Sequence, residues 1–184
     1  DDDSGIIRYV RIEYSGGAAD AASENNGFSF YGVGSGTTID FIQAFEGADD
    51  GVEFFGGTVN ASHISVVGAQ DDSVDWTEGF TGTLTDVYIE HRQSHDKGIE
   101  GDGFHTDIGN NSNQVFWSAP TINTITINGL GSSNGNEAIR LRAGTRAIFN
   151  KVFIVGFEEG YDLDDEETGN GFSAGDTSVT DITF

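Results

Sequence analysis

One line of sequence, apolar-x-x-apolar-x-apolar, recurs seven times along this chain. It reads Ile7-Arg-Tyr-Val10-Arg-Ile12, Ile39-Asp-Phe-Ile42-Gln-Ala44, Ala61-Ser-His-Ile64-Ser-Val66 and Leu84-Thr-Asp-Val87-Tyr-Ile89. It continues as Ile122-Asn-Thr-Ile125-Thr-Ile127, Phe149-Asn-Lys-Val152-Phe-Ile154 and Val179-Thr-Asp-Ile182-Thr-Phe184. A second line, small-apolar-x-apolar, follows the first six: Gly27-Phe-Ser-Phe30, Gly51-Val-Glu-Phe54, Ser73-Val-Asp-Trp76, Gly98-Ile-Glu-Gly101, Ala138-Ile-Arg-Leu141 and Gly160-Tyr-Asp-Leu163. Each unit is thus two short strands joined by Gly, Asn and Asp turns. No unit can bury its apolar face alone, so the units must stack. The expectation is an all-β, parallel β-helix of about seven rungs spaced about 4.8 Å.

Composition agrees with that reading. Val, Ile, Phe and Thr fill the periodic segments, Gly is frequent at 27 of 184 residues, and Pro occurs once. The length suits a single domain over residues 1–184 with a real core. The units are not evenly spaced: extra residues fall at 16–26 and 103–120, and insertions in a stack map to loops on one face. There is no cysteine, so no disulfide framework is possible. No apolar run approaches the ~18 residues that a membrane span needs. No signal peptide is present, and the opening Asp-Asp-Asp-Ser reads as the start of a mature or excised segment. The last apolar residue of the seventh line, Phe184, ends the chain without a capping unit. We therefore expect a fragment of a longer chain, or end-to-end self-association.

Charge narrows the function. Asp and Glu total 31 against 8 Lys and Arg, a net charge of −23. Such a surface repels nucleic acid and anionic membranes and attracts hard divalent cations. Strand alternation puts the charges in columns. One outward column of the second strand reads Ser29, Glu53, Asp75, Glu100, Arg140, Asp162; the next reads Tyr31, Phe55, Thr77, Asp102, Arg142, Asp164. Arg140 and Arg142 fall between carboxylates, and exposed pairs of that kind contribute about 1 kcal/mol or less each. Glu53, Asp75 and Glu100 occupy successive rungs with like-charged neighbours. The turn before them adds Asp49, Asp50, Asp71, Asp72 and Asp96. Like charges directly opposite destabilise a sheet. Raised pKa values, high salt or bound Ca²⁺ must offset them. The metal-ligand candidates are Asp49, Asp50, Glu53, Asp71, Asp72, Asp75, Glu100 and Asp102.

The segments Ile7–Tyr14, Tyr31–Ile39, Asp49–Asn60, Asp71–Trp76 and Asp96–Asp102 resemble the secreted or lipoprotein-type β-helix proteins of marine and environmental bacteria. That resemblance implies a right-handed parallel β-helix of the pectate-lyase-like type, at the cell surface or outside the cell. It brings no established activity, and a fold alone implies none.

Two classes of function follow. The first is a non-catalytic adhesive, matrix or polysaccharide-binding module with a Ca²⁺-binding face, in which His105 and Trp117 of the second inserted loop contact the sugar. The second is an enzyme. A polysaccharide lyase would use Lys97, Arg140 and Arg142 to abstract a proton beside a uronate carboxylate. A glycoside hydrolase would pair carboxylates from Asp50, Asp72 and Asp75, or Glu53 and Glu100. A self-stacking filament subunit is a further alternative. His91 and His95 lie on a strand-to-turn segment and carry no zinc signature.

Overall fold

The computed structural model describes residues 2–17, 25–92, 95–104, 116–131 and 136–184. All seven copies of the first line are strands: β1 (Ile6–Glu13), β3 (Thr38–Phe45), β5 (Asn60–Val67), β7 (Thr83–Glu90), β9 (Thr121–Asn128), β11 (Ile148–Val155) and β13 (Ser178–Thr183). They form one parallel sheet in that order. The six copies of the second line are β2 (Phe28–Tyr31), β4 (Val52–Phe55), β6 (Val74–Thr77), β8 (Ile99–Asp102), β10 (Ile139–Arg142) and β12 (Asp162–Leu163), which form a second parallel sheet. The chain alternates between the sheets and climbs one rung per circuit, giving a right-handed parallel β-helix.

The uneven spacing within the first line has a backbone cause. Strict alternation would turn the second apolar residue outward, because two residues separate it from the first. In each copy the residue before it lies in the left-handed region: Tyr9, Phe41, His63, Asp86, Thr124, Lys151 and Asp181 all have φ between 52° and 62°. These seven residues have no partner in the ladder register. Each long strand therefore turns a corner there, and the next apolar residue faces inward again. A non-glycine residue in this conformation costs about 1–2 kcal/mol. Burial offsets it: Ile42, Ile64, Val87, Ile125 and Val152, which follow the corners of β3 to β11, are each 3 % exposed or less. Fully burying such a side chain contributes about 1.5–3 kcal/mol.

Inside the coil, Phe28, Phe30, Phe54 and Phe80 continue one another as an offset stack, with centroids 4.5–6.2 Å apart. Trp76 takes the next rung, donating Nε1–H to Thr145 Oγ1 at 3.1 Å. Its size explains the glycine in the fourth unit: a Cβ on Gly101 would lie 2.4 Å from the Trp76 ring.

One element was not expected. Residues Glu166–Ala174 form a short helix, α1, between β12 and β13. Asp165 caps it, accepting from the Thr168 N–H, and Gly175 ends it at φ 87°. The Asp165 carboxylate also accepts from the Ala143 N–H at 2.5 Å, which ties α1 to the preceding rung. No helix is long and apolar enough to cross a membrane among the described residues.

Candidate functional site

The ladder register matches the first expected column rung by rung: Ser29, Glu53, Asp75, Glu100, Arg140 and Asp162 are neighbours along the six-stranded sheet. The turn before each strand adds a parallel column. There Asp50 Oδ1 accepts from the Asp72 N–H at 3.0 Å, and Asp72 Oδ1 accepts from the Lys97 N–H at 2.7 Å. Each aspartate thus reaches forward to fix the next turn, and its carboxylate is drawn under the surface. Asp50, Asp72 and Glu100 are only 5–8 % exposed.

The two columns face each other. Ligand oxygens of Asp50, Glu53 and Asp75 lie within 4.8 Å of one another, as do those of Asp72, Asp75 and Glu100. Asp49, Asp50 and Asp71 form a third group, and Asp71, Asp72 and Asp96 a fourth. Asp75 belongs to both inner groups, and its Oδ1 is buried without a hydrogen-bond partner. Two oxygens on one Ca²⁺ lie no more than about 5 Å apart, and Ca²⁺ takes six to eight oxygens. The all-oxygen donor set and its spacing fit that ion, with backbone carbonyls and water completing the shell.

Electrostatics mark the same residues. Burial raises the Asp50 pKa well above the ordinary carboxylate range, and Asp72 adds to it. Burial does the same at Asp72, reinforced by Glu100, and at Asp75, reinforced by Asp50 and Glu53. Burial pushes Glu53 up to about 7, although the Asn26 amide donates to it at 2.5 Å. Burial and mutual repulsion thus favour the protonated forms of these carboxyls, a tendency that a bound cation would oppose.

Glu100 marks where the ladder changes character. Arg142 pairs with Glu100 and with Asp102, the latter at 2.6 Å. Arg140 lies 3.7 Å from Glu100 and 2.7 Å from Asp164. Arg140 was expected between Glu100 and Asp162, and Arg142 between Asp102 and Asp164; each meets the expected partner on the preceding rung, but Arg140 takes Asp164 diagonally in place of Asp162, and Arg142 adds Glu100 diagonally. Asp102 is held by Arg142 and is absent from the four oxygen groups, while the other seven expected ligands all belong to them.

The remaining candidates fall elsewhere. Lys97 is buried, 5 % exposed, with Nζ beside Asp96 and 3.6 Å from Glu137. Burial opposes its charge, but Asp96, Asp72 and Glu137 outweigh it and keep its pKa above the ordinary value. Trp117 is also buried, with the Arg146 guanidinium 4.0 Å over its ring, so it does not stand open beside the carboxylates. His105 lies outside the described residues. His91 and His95 stack at 4.2 Å, and burial pushes His91 down to about 4.

The aromatic groups next to the acids come from the column beside them. Tyr31 and Phe55 stack at 4.3 Å, and Tyr31 is 69 % exposed. With Asn26, Asp49, Asp50 and Glu53 they line a pocket of about 380 Å³. Alternation alone had placed them there; only the pocket was not legible.

No curated protein and no solved structure matches the chain significantly. The family model described as a pectate-lyase-like β-helix domain matches residues 1–184. A fold of stacked parallel rungs and a match over the whole chain agree: the chain belongs to the pectate-lyase-like β-helix domain family.

Proposed function

We propose that this chain is a non-catalytic, extracellular or cell-surface module whose acidic ladder binds Ca²⁺ and whose adjoining pocket takes a polysaccharide. The observation that carries the reading is Asp75. Its carboxylate is shared between two groups of closely spaced oxygens, and its Oδ1 is buried with no hydrogen-bond partner. A buried carboxylate oxygen with no donor is costly unless the group is protonated or bound to a cation, and the one side-chain bond Asp75 makes is to another carboxyl, Glu53. The Tyr31–Phe55 pair offers an apolar surface for a sugar ring beside the same pocket. Ca²⁺ is plentiful outside cells and scarce in the cytosol, which favours the outside location.

The lyase alternative rests on Arg140 and Arg142 bordering the Asp72–Asp75–Glu100 group. Against it, Lys97 is buried and held charged, and both arginines are committed to carboxylates. Screening polyuronates for unsaturated products tests it directly.

Calorimetric titration with Ca²⁺, alongside thermal melts, tests the main reading. Saturable binding is expected, with stabilisation of about 2.7 kcal/mol at a hundredfold excess over Kd. Glu53→Gln/Asp75→Asn should abolish both effects. A wild-type melting temperature indifferent to Ca²⁺ and to EDTA would reject the proposal.

A further inference from the structure

The seven-stranded sheet carries a groove of a different kind. It has a volume of about 570 Å³ and crosses the first four rungs, with Arg8, Thr38, Asp40, Asn60, Thr83 and Thr85 among its lining residues. In a chain of net charge −23 its lining is nearly neutral. Among the described residues, Arg8 and Asp40 are the only charged ones lining it, and they lie 3.4 Å apart. Asp40 is further engaged by the Ser62 hydroxyl and by His63 Nδ1, each at 2.8 Å.

The geometry points to a second, cation-independent binding surface here, for a linear neutral glycan lying along the helix axis. Three features select that ligand. First, β3, β5 and β7 are paired within the sheet, so their backbone groups are already engaged. The groove therefore offers hydroxyls and an amide rather than a free strand edge, which suits a polyol and not an added peptide strand. Second, these groups repeat at the rung step of about 4.8 Å. A 1,4-linked pyranose chain advances by nearly the same step, so each sugar meets polar side chains of one rung: Thr38 and Asp40, then Asn60 and Ser62, then Thr83 and Thr85. Third, a ridge of rings runs beside the groove. Tyr9, Phe41 and His63 occupy successive corners, stacked at 5.0 and 4.0 Å. Tyr9 is 78 % exposed and Phe41 41 %. The rings flank the lining residues Arg8, Asp40 and Ser62 in sequence without lining the groove; both faces of Phe41 are covered, and the outer face of Tyr9 offers an apolar surface to the C–H face of a sugar. Concave volume, convergent polar groups and an apolar surface are what small-ligand sites share. Near-neutrality of the lining selects against a polyuronate, which the surrounding field would repel.

This surface is independent of the acidic ladder, and the experiment keeps the two apart. Cellohexaose, xylohexaose and chitohexaose, with hexagalacturonate as the anionic control, are titrated in EDTA by NMR. Saturable binding of a neutral hexasaccharide is expected, tightening with chain length up to about four sugars, one for each rung of the groove. Thr83→Val/Thr85→Val removes two hydroxyls while keeping side-chain shape, and Tyr9→Asn removes the exposed ring from a position where Asn tolerates positive φ. Each should weaken binding about tenfold, with the melting temperature nearly unchanged. Glu53→Gln/Asp75→Asn should leave binding intact. No binding of any neutral probe would overturn the proposal. So would binding that needs Ca²⁺, that is lost in Glu53→Gln/Asp75→Asn, or that ignores the groove variants.

Discussion

Two residues show how closely the coil constrains its side chains. Gly101 is small because Trp76 fills the space a Cβ would need, and the bond to Thr145 holds the indole in place. Gly101→Ala should lower stability by about 1–3 kcal/mol, the usual cost of overpacking, measured by denaturant unfolding. Thr124 is the opposite case. It is an exposed β-branched residue at φ 62°, where its Cβ crowds the backbone. Thr124→Asn should raise stability by about 0.5–1 kcal/mol, because Asn enters the left-handed region more readily. An unchanged melting temperature would show that the corner is not strained at that rung.

At the scale of the element, the acidic ladder links stability to pH. A carboxyl with a higher pKa folded than unfolded binds protons more tightly in the fold. Its contribution to stability is full below the unfolded value and fades as pH rises through the folded value. For Glu53 that window runs from 4.5 to about 7, and Asp50, Asp72 and Asp75 shift in the same direction. In EDTA the melting temperature should therefore fall between about pH 5 and pH 8. Glu53→Gln/Asp75→Asn should flatten the curve. Saturating Ca²⁺ should restore stability at the upper end, because the ion binds the deprotonated form. A flat profile for the wild-type protein in EDTA would mean that the carboxylates ionise as freely folded as unfolded.

Across the whole molecule, the legible features were those governed by alternation and repetition. In the second line inward and outward positions follow from period two, so the Glu53–Asp75–Glu100 column could be read directly, while the repeat itself marked the thirteen strands among the described residues. The seven corners were hidden, because Tyr, Phe, His, Asp, Thr and Lys share no chemistry that announces positive φ. The helix α1 was hidden because its Glu-Glu-Thr-Gly-Asn-Gly-Phe-Ser-Ala sequence has no apolar stripe; its caps, Asp165 and Gly175, were the available signal. The diagonal reach of Arg140 to Asp164 depends on rotamers, which register does not set. Burial of Trp117 depends on Arg146, which arrives from a later rung.

The corner column has a use outside recognition. It places seven side chains in single file on the surface, one per rung, in a chain without cysteine. A single thiol introduced at any two of them, Asp86 and Lys151 for instance, would carry a pair of spin labels or dyes. Their separation would be a whole number of rung steps of about 4.8 Å. The coil would then serve as a graduated ruler.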